Sequence, residues 1–129
     1  MDRLNIVKIG TGLLVGVWAN LSLVLQVLIF LMILDFVTGL MVAIQQQNLS
    51  SHKSYRGISK KVVVLALITA TAIIQQHLNI DIPLVEVVSG FYIANEFISI
   101  LENAAVAGVP LPDTLRDVLE RLNGMTQKR

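Results

Sequence analysis

Between Leu21 and Gln45 the chain carries a single ionisable side chain, Asp35. An apolar run of this length suits a bilayer, because about 20 predominantly apolar residues in a helix cross the hydrocarbon core. Inside lipid, backbone N–H and C=O groups have no water to bond, so a single segment must satisfy them within itself as a helix. The run therefore points to an all-α membrane protein. Composition agrees. Charged residues make up 15% and hydrophobic residues 54% of the 129-residue chain, whereas a soluble domain carries about 25% charged residues. Mean hydropathy is +0.71. A formal net charge of +1 supplies no strong field to recruit nucleic acid. The absence of cysteine removes disulfides, thiolate metal sites and a cysteine nucleophile.

Four transmembrane helices are predicted, at about 4–19, 21–45, 58–77 and 82–103, and together they form a transmembrane domain over residues 1–103. The first is short and needs tilt or local thinning of the bilayer to span. It contains Gly12 and Gly16, a GxxxG pair that lets two membrane helices approach closely, and Gly39 with Ala43 forms a second small-xxx-small pair. The same N-terminal stretch also has signal-peptide features, with Arg3 and Lys8 ahead of an apolar run and Val17-Trp18-Ala19 as a passable cleavage site. Gln45–Lys61 reads as a polar loop carrying Lys53, Arg56, Gly57, Lys60 and Lys61. Asn79–Pro83 reads as a tight turn, with Pro83 in the first turn of the helix that follows. Residues 104–129 read as a cytoplasmic loop, an amphipathic helix over Asp113–Asn123 and a tail. That helix has Leu115, Val118, Leu119 and Leu122 on one face and Gly124 as its stop, and residues 125–129 are expected to fray.

The polar residues of the last span carry the chemistry. Ser89, Tyr92, Glu96, Ser99 and Asn103 recur at steps of three and four, so they share one stripe of a helix, with Asn95 and Glu102 beside it. Val87, Val88, Ala94, Phe97, Ile98 and Leu101 read as the opposite, greasy surface. An acidic side chain at the bilayer centre costs about 2.5–3.5 kcal/mol on insertion scales. Glu96 and Asp35 are therefore expected to face the bundle interior, hydrogen-bonded to groups such as Asn95 or Ser99. Glu102, nearer the surface, falls within reach of Lys60 or Lys61. Taken by itself, the stripe also suits a soluble amphipathic helix. No catalytic constellation, metal set or cofactor motif is present. His52 and His77 fall on opposite sides of the predicted membrane, and there is no phosphate loop or nucleophile elbow.

Every Lys and Arg lies in the N-terminus, in the 45–61 loop or in the C-terminal region. Four spans place all three on one side, and the positive-inside rule makes that side, with both termini, cytoplasmic. Three spans would leave Arg3 and Lys8 outside as exceptions.

Four pieces of the chain carry a family resemblance: Asp35-Phe36-Val37-Thr38-Gly39, the string SSHKSYRGISKK from Ser50 to Lys61, Asn95-Glu96-x-x-Ser99-Ile100-x-Glu102-Asn103, and Gly108-Val109-Pro110-Leu111-Pro112. In this order and spacing the chain resembles the bacteriophage holin family that includes the clostridial toxin-release holins. The resemblance implies a small non-enzymatic protein that associates with further copies of itself in the lipid of the bacterial cytoplasmic membrane. It would form lesions there that release an endolysin or a toxin. It marks Asp35, Gly39, Arg56, Gly57, Lys60, Asn95, Glu96, Ser99, Glu102 and Asn103 as signature positions without a catalytic role. Two other readings fit a small polytopic protein. One is a proton-coupled transporter, although small multidrug exporters carry an acid in their first span and this chain has none there. The other is a membrane scaffold that holds a cytoplasmic partner through the 113–123 helix.

Overall fold

The computed structural model describes residues 2–127, with side chains through Gly124. Its five helices are α1 (Arg3–Asn20), α2 (Leu23–Gln45), α3 (Ser51–His77), α4 (Leu84–Val106) and α5 (Asp113–Gln127). No strand occurs among the described residues. Three helices, α2, α3 and α4, are long and apolar enough to cross a membrane. The expected count of four spans is not confirmed. The first segment is helical over its expected length but is not among those three. Arg3, Asn5, Lys8 and Asn20 dilute its eighteen residues below the apolar density that marks the other spans. It has no buried residue, and its end is tied to α2 by Gln26 Nε2, which donates to Trp18 O at 3.0 Å. A Cβ added at Gly12 or Gly16 would meet nothing within 4 Å, so the GxxxG face makes no contact within the chain.

One correction concerns the basic string. Ser51–Lys61 is the opening of α3, not a loop, and the connection shrinks to Gln46–Ser50. At 1.5 Å per residue the 27 residues of α3 extend about 40 Å, against a hydrocarbon core of about 30 Å. A helix of that length exceeds the core, and its first turns, with Lys53, Arg56 and Lys60, suit the headgroup layer, where long cationic side chains lay their stems along apolar surface.

Three turns end the spans in the same way. After α2, Asn48 N–H donates to Ala43 O (2.9 Å) and Gln47 N–H to Ile44 O (3.1 Å), with Gln47 at φ 54°. Asn79 (φ 45°) and Gly108 (φ 89°) hold the matching positions after α3 and α4. These are Schellman closures, which satisfy the last orphan carbonyls of a helix through one left-handed residue. Pro83 stands at the N-cap of α4, one residue earlier than expected, and has no side-chain acceptor to offer. Gln75 of α3 supplies it instead, its Oε1 accepting from Val85 N–H at 2.9 Å. α5 runs through Gly124 to Gln127, past its expected stop. Residues 128 and 129 of the expected frayed tail lie outside the described residues, as does Met1.

These short connections make α2 and α4 parallel and α3 antiparallel to both. α4 is the hub, packed most extensively on α2 and next on α3. Leu28, Met32 and Ile68 form the buried core, with Leu25, Val64, Leu65, Val85, Val88, Tyr92 and Ile93 around them. Because α4 meets two helices, its covered arc is wider than one stripe. Val88 packs on the core and Leu101 is buried, although the polar stripe alone assigns both to the outer surface. On α5, Leu119 is buried, Leu115 and Leu122 are half-buried and Val118 is exposed.

Candidate functional site: a charged seam across three spans

Asp35, Lys61 and Glu96 lie at one depth. Asp35 is ten positions before the end of α2 (45 − 35), Lys61 ten after the start of α3 (61 − 51), and Glu96 ten before the end of α4 (106 − 96). Ten residues rise about 15 Å. The three helix ends share one side of the bundle, so the three side chains meet. Lys61 Nζ donates to Asp35 Oδ2 at 2.9 Å and to Glu96 Oε2 at 2.5 Å. Their side chains keep little exposure, 18% for Lys61, 15% for Asp35 and 8% for Glu96. Burying ions is costly, and their mutual attraction offsets that cost only when geometry and extra hydrogen bonds are good. Here one ammonium serves two carboxylates on two other helices, which ties all three spans at a single point.

A second layer holds Asp35 from α4. Asn103 Nδ2 donates to Asp35 Oδ1 (3.1 Å), to Asp35 O (3.3 Å) and to Thr38 Oγ1 (3.0 Å). Thr38 Oγ1 in turn donates to Asp35 O at 3.1 Å. Gly39 faces this amide: a Cβ there would sit 3.6 Å from Asn103 Nδ2, an ordinary contact distance.

Two clefts flank Lys61 and share Asp35, Gly57, Lys61 and Ser99. The smaller, about 290 Å³, extends past Gly39, Ala43, Lys53 and Asn103. The larger, about 720 Å³, opens between α3 and α4 past Arg56, Lys60, Tyr92 and Asn95. Gly57 adds no side chain between them, and nothing lies within 4 Å of the Cβ it lacks.

The other expected residues distribute as follows. Ser89 is wholly buried, and its hydroxyl has no partner among the described residues. Tyr92 is half-buried, with its ring edge-on to Phe91 at 5.2 Å. Asn95 is exposed and Ser99 half-buried; neither bonds the carboxylates, whose partners are Lys61 and Asn103. Glu102 is half-buried and forms no ion pair among the described residues, because Lys61 turns inward to Asp35 and Glu96. Gly12 and Gly16 remain away from the seam on α1. Among the described residues no three His, Cys, Asp or Glu side chains gather in a way that would hold a metal ion. Sequence reasoning missed Lys61 as the intramembrane counter-ion and Thr38 as a partner of Asn103. One signal was present for the first: Gly57, Lys61, Val64, Ile68, Thr71 and Gln75 step by three and four along the inward face of α3.

Residues 11–124 match the profile of the bacteriophage holin family. The chain belongs to that family. The match covers the whole three-span bundle and α5 through Gly124. Among similar proteins is an uncharacterized protein of Clostridium perfringens strain 13, 36% identical over 94% of this chain and 90% of its own length. A second, an uncharacterized 14.9 kDa protein in the nagH 3′ region of Clostridium perfringens, is 35% identical over 92% of this chain and 90% of its own. A third, an uncharacterized protein of Listeria monocytogenes, is 31% identical over 86% of this chain and 80% of its own. No solved structure matches the chain. Membership in the holin family and three apolar spans make this a membrane protein with a holin-type role.

Proposed function

We propose that this holin family member associates with further copies in the bacterial cytoplasmic membrane and forms lesions through which an endolysin, or a toxin, leaves the cell. The observation that carries the reading is the family match over residues 11–124, which takes in all three spans and the seam. The geometry supports a mechanism. A single bundle is filled at its centre by Leu28, Met32 and Ile68 and holds no passage for a protein, so a lesion needs several copies. Asp35, Lys61 and Glu96 satisfy one another while a copy stands alone. In a ring, small rotations of α3 and α4 would turn these groups and Asn95 toward a wet lumen. The reading assigns the seam no catalytic chemistry. The test is a lysis time course with a co-expressed wall hydrolase that lacks its own export signal. Induction is expected to stop growth abruptly, collapse the membrane potential and lyse the culture. A protein that accumulates in the membrane while the potential holds and the hydrolase stays inside would refute the reading, and proton-coupled transport through the paired carboxylates would be examined next.

The same reading sets the orientation. The basic opening of α3 and the C-terminal region face the cytoplasm by the positive-inside rule, and the N-terminus joins them if α1 crosses the membrane. Single cysteines at Ser51 and Asn79 test this with an impermeant thiol reagent on intact cells before any lesion forms. Asn79 is expected to label and Ser51 to stay shielded; the reverse pattern would invert the topology.

A further inference from the structure

The larger cleft, between α3 and α4, is not chemically uniform. Arg56 and Lys60 stand four residues apart on one face of α3 and line its opening, with Ser59 between them in sequence. Val63 and Val64, one turn deeper, and Tyr92 of α4 give it an apolar wall beside the charged seam of Asp35, Lys61 and Glu96. Neither Arg56 nor Lys60 is ion-paired among the described residues, where both salt bridges belong to Lys61. Asp35 and Glu96 also line the cleft, at the level of Lys61, whose ammonium binds both carboxylates and offsets one of their two charges; Arg56 stands five residues nearer the start of α3. Arg56 lies five residues into α3, about 8 Å from its start, at the level where a long spanning helix leaves the hydrocarbon for the headgroups. At about 720 Å³ the cleft has the size of a small-molecule site, roughly 300–1,000 Å³.

We propose that this cleft binds an anionic glycerophospholipid, with the phosphate held between Arg56 and Lys60 and the upper part of an acyl chain lying along Val63, Val64 and Tyr92. The exposed Asn95 amide also lines the cleft, at the level of Lys61 and Glu96 and deeper than Arg56. A zwitterionic lipid would bring its own cation to an opening that already presents two, Arg56 and Lys60. A free phosphate would leave the apolar wall uncovered. The inference rests on α3 crossing the bilayer with its basic end at the headgroups, and it does not depend on lesion formation.

The test uses the full chain, purified in a neutral detergent and offered equal amounts of phosphatidylglycerol and phosphatidylcholine with the same acyl chains. Retained lipid is read by native mass spectrometry. Retention is expected to favour phosphatidylglycerol about thirtyfold, the order two basic groups supply. The double variant Arg56→Gln/Lys60→Gln should bring the ratio to within about twofold of parity. Lys53→Gln, in the other cleft, should leave it unchanged. Excess glycerol 3-phosphate should not displace the lipid; displacement would show a simple anion site and overturn the lipid assignment. Equal retention of both lipids by the wild-type chain, or an undiminished preference in the double variant, would overturn it too. If the double variant loses helicity, Arg56→Lys/Lys60→Arg takes its place and is expected to keep the preference; losing it would overturn the charge-based site.

Discussion

Lys61→Met is expected to lower the stability of the α2–α4 bundle by about 3–5 kcal/mol, the usual cost of removing one partner from a buried ion pair. Methionine keeps most of the volume, so the loss is electrostatic and not a cavity. Its consequences for the two acids differ. Asp35 keeps the Asn103 amide on its Oδ1. Glu96 loses its one hydrogen-bond donor among the described residues, at 8% side-chain exposure. In the Lys61→Met background, Glu96→Gln should therefore recover more stability than Asp35→Asn does. Unfolding in mixtures of neutral detergent and dodecyl sulfate, followed by circular dichroism, measures both effects. A single variant within about 1 kcal/mol of wild type would mean that water hydrates these charges and that the pairing does not hold the spans together.

Asn103→Leu is expected to cost about 2 kcal/mol, because three acceptors lose one shared donor and hydrogen bonds in membranes contribute about 0.6 kcal/mol each. Glycine substitutions at the facing position sharpen the test. Gly39→Ala should be nearly neutral, since the new methyl would meet Asn103 Nδ2 at ordinary contact distance, 3.6 Å. Gly39→Leu should displace Asn103 and cost about as much as deleting its amide, within the range of overpacked sites, about 1–3 kcal/mol. The same unfolding titration reads all three variants. Wild-type stability in Asn103→Leu together with a strongly destabilised Gly39→Ala would show that backbone approach, and not the amide, sets this contact.

Much of the fold was legible because lipid imposes strict terms. The apolar runs of α2 and α4 announce themselves, and the cost of an unpaired acid draws notice to Asp35 and Glu96 before any contact is known. The start of α3 was not legible. Hydropathy cannot distinguish a solvated helix in the headgroup layer from a solvated coil, so Ser51–Lys61 read as a loop. That error moved Lys61 out of the membrane and paired the surface lysines with Glu102. Counted from the true helix ends, Lys61 falls level with the two acids. The open glycine face of α1 was hidden for another reason: GxxxG records the capacity for close approach but not the identity of the partner. The family was readable from ordered short strings, whereas the bonds of Thr38 and Asn103 needed coordinates.

The small core described above bears on how copies of this chain would meet. Leu23, Phe30, Val63, Phe91 and many other large apolar side chains stay uncovered, because acyl chains solvate them as well as protein does. Contact between two copies then trades one greasy neighbour for another at little net gain. Association of that kind follows mass action in a plane, where the controlling variable is the number of molecules per unit area of bilayer. Dilute copies would diffuse singly and crowded ones would cluster, so the rate of synthesis would act as a clock without any residue dedicated to timing.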